Sequence, residues 1–181
     1  MIYFLLLLAQ LILLIIFCVV QGSFIYSNMK GAPWVRSPGK NIKTILVSVK
    51  IPKNSVIYEL GCGTGEVIRQ LCKDPSTRGI GIDINPLLIF FARTITRLQK
   101  MDNITYLVGD IRKYSIIKAD VVYLFLMPKM LESLVEKFNK ELKSDTLIIS
   151  LGFPIAGFEK KLQKKISDKP YPIFIYNLGS D

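Results

Sequence analysis

The chain opens on an unbroken apolar run. Residues 2–20 contain one polar side chain, Gln10, and no charge, which matches the roughly 20 residues an α-helix needs to cross a bilayer. The pattern then changes. Residues 31–40 are rich in Pro and Gly and read as a loop, and 41–49 read as a short helix. From there short apolar runs alternate with stretches of helical periodicity. Strands are predicted at 55–60, 78–82, 104–108, 120–125 and 146–151, and helices at about 66–73, 86–99 and 128–142. Strands separated by helices imply right-handed crossovers and an α/β fold, a mostly parallel sheet with helices on both faces. Two more runs, 161–167 and 172–177, joined through Asp168-Lys169-Pro170, predict a terminal antiparallel hairpin. The organisation expected is a transmembrane helix at 1–21, a linker and pre-core loop at 22–40, and one α/β domain at 41–181, with no internal repeat.

A cleaved signal peptide is the rival reading of the apolar run. No basic residue precedes the run, it exceeds the ~7–15 residues of a signal h-region, and Val19-Val20-Gln21-Gly22-Ser23 lacks a clear small-x-small cleavage site. A retained single-pass anchor in the lipid bilayer is therefore expected. Lys30, Arg36, Lys40, Lys43, Lys50 and Lys53 follow it before Glu59 with no acid among them. Positive flanks stay cytoplasmic, so the domain is expected on the cytoplasmic side of the membrane. The net charge of +10 suits an anionic leaflet or a nucleic acid. No Arg-rich block interleaved with aromatics is present, and nucleic acid is not an expected partner. Cys18, Cys62 and Cys72 form no CxxC pair, and histidine is absent. This removes Ser-His-Asp and Cys-His nucleophiles, imidazole bases and histidine metal sites, and no metal is expected.

The chemistry concentrates in "YELGCGTGE", residues 58–66, where a glycine loop joins a strand to a helix at the carboxyl edge of the sheet. Open α/β sheets bind ligands there, and glycine lets a ligand approach the backbone closely. A dinucleotide loop, G-x-G-x-x-G, would need its third glycine at position 66, which is Glu. Neither the Lys nor the Ser/Thr of a P-loop follows. Glu59 and Glu66 would repel a pyrophosphate and favour a cation.

The motifs "VIYELGCGTGE", "GIGIDINP", "ITYLVGDI" and "ADVVYLFL", in that order across 55–151, resemble class I S-adenosylmethionine-dependent methyltransferases. The resemblance implies a Rossmann-like seven-strand sheet, mostly parallel with a C-terminal antiparallel hairpin, and S-adenosyl-L-methionine as cofactor. It places the methionine portion on the backbone of Gly61, Cys62, Gly63 and Gly65, with Glu59 near the ammonium and sulfonium. Asp83, with Ile84 beside it, would accept the ribose hydroxyls, and Asp110 and Ile111 would contact the adenine. Each acid has a plainer role open to it: Asp83 as the cap of the next helix, Asp110 as a turn residue, Glu66 as a favourable charge at a helix N-terminus.

The segment after Asp120-Val121-Val122-Tyr123 is Leu124-Phe125-Leu126-Met127-Pro128, without the Asn-Pro-Pro-Tyr or Asp-Pro-Pro-Tyr of enzymes that methylate bases or glutamine amides. "GAPWVRSP", "INPLLIFFAR", "VVYLFLMPKMLESLVEKFNKEL" and "IISLGFP" resemble the membrane-anchored lysine methyltransferases of the adenine nucleotide translocase and ATP synthase c-subunit type and their prokaryotic relatives. Those enzymes carry a form closer to Asp-x-Gly-Ser-Gly-Asp-Gly, where this chain has Glu59 and Cys62-Gly63-Thr64, which leaves the acceptor open. The resemblance implies methyl transfer to a lysine ε-amine of a membrane or membrane-proximal protein, with Trp34, Met127, Pro128, Phe153 and Pro154 on the acceptor side. Trp34 serves equally as an interfacial aromatic, and Met127 and Phe153 as core residues. Other functions compatible with the sequence are a small-molecule or lipid methyltransferase, acting on a quinone precursor or phospholipid amine, and a cofactor-binding module without catalysis.

Overall fold

A computed structural model describes residues 1–29, 35–166 and 169–179. Trp34 and Asp168 lie outside the described residues.

The helix α1 (Ile2–Met29) is followed by α2 (Gly39–Ser48) and then by the alternation β1 (Val56–Leu60), α3 (Glu66–Leu71), β2 (Arg78–Asp83), α4 (Pro86–Leu98), β3 (Ile104–Val108) and β4 (Val121–Leu124). Two short helices, α5 (Pro128–Glu132) and α6 (Val135–Glu141), lead to β5 (Leu147–Leu151), and the hairpin β6 (Leu162–Ile166) and β7 (Ile173–Asn177) closes the chain. The seven strands form one sheet in the order β3-β2-β1-β4-β5-β7-β6. The first five are parallel, and β7 runs antiparallel between β5 and β6.

Burial on both faces explains why β1, β4 and β5 read as continuous apolar runs rather than alternating ones. One face packs Ile57, Tyr123 and Ile149 against Ile42 and Ile45 of α2, Ile68 of α3 and Ile89 of α4. The other packs Tyr58, Val122 and Ile148 against Leu131 and Phe138, with Phe158 and Tyr176 stacked edge to face. The chain winds outward from β1 to β3 and then returns to β4 on the other side of β1. That reversal opens a crevice at the carboxyl ends of β1 and β4, the usual ligand position in open α/β sheets.

Two elements differ from the sequence pattern. The helix predicted at 128–142 is interrupted after Glu132, where the Ser133 hydroxyl donates to the Met130 carbonyl at 2.7 Å and the Leu134 amide bonds to Leu131, three residues back. A serine hydroxyl competing for backbone carbonyls bends a helix in this way. The first helix does not stop where its apolar run stops. It continues to Met29 because its foot packs on the domain, where Ser27 is buried. Among the described residues α1 is long and apolar enough to cross a membrane by length and composition, and its most apolar 18-residue window is 0% buried.

Candidate active site

The glycine loop follows directly from β1. Gly61, Gly63 and Gly65 have φ of 78°, 51° and 71°, values in the left-handed region that favours glycine. The amides of Gly61 and Cys62 both donate to the Ile82 carbonyl at 2.8 and 3.0 Å, which ties the loop to the end of β2. Gly63 N–H donates to Asp83 Oδ2 at 2.7 Å, and Asn85 N–H donates to Asp83 Oδ1 at 2.8 Å. The side chain of Asn85, not that of Asp83, caps α4 by accepting from the amides of Leu87 and Leu88.

Loop and acid line one pocket. Its walls include Glu59, Gly61, Cys62, Gly63, Thr64 and Asp83 on the β1–β2 side, and Phe125, Leu126, Met127, Phe153 and Tyr171 on the β4–β5 side. Glu59 is buried, and its Oε2 accepts the Ile68 amide at 2.9 Å, so it also caps the first turn of α3. Burial pushes its carboxyl up to about 8. Burial likewise raises Asp83, against the opposing effect of the amides of Asn85 and Gly63. Two carboxyls made less acidic by desolvation form a site that gains from a bound cation, because an opposite charge restores the ionised form. Cys62 is buried, and desolvation holds it as a neutral thiol.

The other expected residues are distributed differently. Gly65 is not on the pocket wall: a Cβ there would collide with the Tyr106 ring, so packing requires its small size. Ile84 lines an adjacent crevice. Asp110 is held by Arg112 through Nε and Nη2, the latter at 2.6 Å from Oδ2, which lowers its carboxyl below the usual range. Ile111 is buried in the second core cluster. Met127 and Phe153 share the pocket, whereas Pro128 begins α5 beside it.

The pre-core loop, expected on the acceptor side, supplies a wall whose individual residues the motifs did not name. Val35, Arg36 and Ser37 line it, as does Ser27 from the foot of α1. Arg36 bonds both oxygens of Glu66, at 2.6 and 2.8 Å, and this bond holds the Glu66 carboxyl below its ordinary value. The Ser37 and Tyr123 hydroxyls lie 2.9 Å apart. The signal available in sequence was the single arginine between two prolines in "PWVRSP", but nothing local to it names Glu66, 30 residues away.

A seven-strand sheet of this order, with a glycine loop and an acid-lined pocket at the reversal point, is the fold of the class I methyltransferases, enzymes that use S-adenosylmethionine. The model of the ANTKMT methyltransferase domain matches residues 59–162, and the chain belongs to that family. It is 29% identical over 159 residues to a protein-lysine N-methyltransferase of Saccharolobus islandicus, across 84% of this chain and 98% of that protein. It is 24% identical over 123 residues to the human lysine N-methyltransferase of the ATP synthase c-subunit, covering 67% of this chain and 52% of the human one, so the chain spans about half of that relative. Among solved structures, an RNA methyltransferase from Salinibacter ruber in complex with S-adenosyl-L-homocysteine superposes with a TM-score of 0.75 at 22% identity, over 81% of this chain and 95% of that one.

The pocket suits this cofactor in its charges and its bare backbone. Glu59 and Asp83 would face the cationic end and the ribose diol, and Gly61 and Gly63 bring bare backbone to the pocket wall for the methionine portion. Among the described residues no group of His, Cys, Asp and Glu is placed to hold a metal.

Proposed function

We propose that the chain is a membrane-anchored methyltransferase that modifies a lysine ε-amine of a membrane or membrane-proximal protein, with its domain on the cytoplasmic side. The observation that carries this reading is the position of Ser27: a residue on the same continuous helix as the apolar run 2–20 is part of the pocket wall. A helix rises about 1.5 Å per residue, so the pocket wall lies on the order of 10 Å from the end of the apolar run at Val20. The names of the relatives point to lysine. The basic residues after α1 fit the cytoplasmic orientation.

The cofactor supplies an electrophilic methyl on a sulfonium. Held by Glu59, the backbone of Gly61, Cys62 and Gly63, and Asp83, it would supply that methyl to the amine nitrogen, and the amine would first lose a proton to water. Met127, Phe153, Phe125 and Tyr171 make the β4–β5 side of the pocket largely apolar. Partial desolvation there lowers the pKa of an entering lysine, so no side-chain base is needed. Alignment of amine, methyl and sulfur provides much of the acceleration. Glu59, Gly61, Cys62, Gly63 and Asp83 are assigned to the cofactor, with Gly65 packing the loop from beneath; Ile84, Asp110 and Ile111 follow the carboxyl ends of β2 and β3 beside the pocket, and Met127, Pro128 and Phe153 are assigned to the acceptor.

Supplying tritiated methyl donor to native membranes with the full chain tests the acceptor class. Label is expected in the protein fraction after solvent extraction. Label in the organic phase would replace this reading with a lipid or quinone-precursor amine.

A further inference from the structure

The foot of α1 does not merely pass the domain. Ser23 Oγ donates to Asn85 Oδ1 at 2.6 Å, and Asn85 Nδ2 donates to Ser27 Oγ at 3.0 Å and the Ser23 carbonyl at 3.3 Å. Asn85 and Ser27 are buried, so the contact fixes the roll of the helix against the start of α4. Beside this clasp, Val19 of the apolar run shares one crevice with Leu87 and Phe90 of α4 and Val108 of β3.

The outward side of α4 is unusually apolar. Its inward side is Leu88, Ile89, Ala92 and Thr96. Facing solvent are Phe90 at 61% and Phe91 at 46% exposure, their rings in edge contact at 5.8 Å, with Val108 of β3 at 40%. This patch is continuous with a helix that the proposed function places in the bilayer. The hydrocarbon core is about 30 Å thick and each headgroup layer adds roughly 5–8 Å. The apolar run ends at Val20, so Val19 marks the hydrocarbon boundary, and Ser23 lies about 5 Å beyond Val20 at 1.5 Å per residue. Side chains packed beside Val19 and Ser23 therefore sit at headgroup depth. Arg97 is exposed further along α4, and Arg93, also exposed, donates through Nη2 to the Tyr106 carbonyl at 2.7 Å; cations so placed suit anionic headgroups.

We propose that the first turns of α4, with Val108 and the foot of α1, form a surface seated in the lipid interface, and that this seat turns the carboxyl edge of the sheet and its pocket toward the membrane. The occupant is lipid, because the patch begins on the spanning segment itself. The inference rests on the anchor reading and adds the orientation of the domain to it.

The test uses the full chain in nanodiscs of phosphatidylcholine and phosphatidylglycerol containing lipid with a nitroxide near the top of the acyl chain and, in a parallel sample that reads the Ile12→Trp variant, near its end. Tryptophan emission is read from single-tryptophan variants in a Trp34→Phe background: Phe90→Trp, Ile12→Trp within the span, and Val47→Trp, at an 89% exposed position on α2. Phe90→Trp is expected to lose most of its emission to the nitroxide and to shift to the blue, with Val47→Trp unaffected. Quenching of Ile12→Trp without quenching of Phe90→Trp overturns the seat and leaves the anchor standing. No quenching of Ile12→Trp overturns the anchor reading itself. Phe90→Trp shielded from acrylamide but not quenched by lipid assigns the patch to a protein partner and also overturns the seat.

Discussion

The two walls of the pocket are built by different means. The cofactor side is local: the glycine loop, Asp83 and Asn85 fall within 27 residues of Glu59, and backbone amides hold their geometry. The opposite wall gathers Ser27, Arg36, Met127, Phe153 and Tyr171 from distant parts of the chain. The Arg36–Glu66 ion pair there is exposed, with the Arg36 side chain at 70%. Backbone-defined geometry tolerates little change, whereas an exposed pair contributes little to stability and is free to rearrange. On the proposed function, the first wall is fixed for an invariant cofactor and the second is adjustable for an acceptor.

The contrast fails if substitutions on the two sides have similar effects. The largest is expected from Asp83→Ala, which removes the acceptor for the ribose diol and leaves the Gly63 amide unpaired. Two hydrogen bonds to a charged group correspond to a loss of about 100-fold or more in cofactor affinity, measurable by calorimetry. Unchanged affinity would remove Asp83 from the site. Gly65→Ala tests stability instead. A side chain at φ of 71° facing the Tyr106 ring is expected to cost about 2 kcal/mol, read by chemical denaturation.

Glu59→Gln is expected to have a smaller effect, with a definite sign. The folded carboxyl, at about 8, lies above its ordinary 4.5, so the folded state holds the extra proton between those values. The contribution to stability is fully present below about 4.5 and is lost as pH rises through 8. Wild type should therefore lose thermal stability relative to Glu59→Gln across that window. Binding a cation favours the ionised form, so wild-type cofactor affinity should rise with pH up to about 8, and Glu59→Gln should lack that slope. Equal slopes would show that Glu59 serves only as the cap of α3. The smallest effect is expected from Arg36→Ala: an unchanged melting temperature and cofactor affinity, with a raised KM for the acceptor. A loss of cofactor affinity instead would place Arg36 on the cofactor side.

Legibility in the sequence follows the same division. The order of strands and helices, the terminal hairpin and the glycine loop are written in adjacent residues, and the sheet carries them as expected. The interruption at Ser133 depends on a hydroxyl choosing a carbonyl, which periodicity does not record. The glycine at position 65 looks like part of a ligand loop, yet the atom that requires it belongs to Tyr106 on another strand. The clasp from Ser23 and Ser27 to Asn85 joins residues about 60 positions apart, and in sequence those serines look like the ordinary polar end of a span. What was missed was tertiary: pairs that exist only once α1 and the pre-core segment lie against the sheet.

The most direct measurement is the identity of the methylated residue. Native membranes would be labelled from tritiated S-adenosylmethionine by wild type, Gly63→Arg and Asp83→Ala, and the labelled protein bands hydrolysed to amino acids. Methyl-lysine from discrete bands, present with wild type and lost in both variants, is the predicted result. Label recovered on another amino acid, or bands that persist in both variants, would contradict the account.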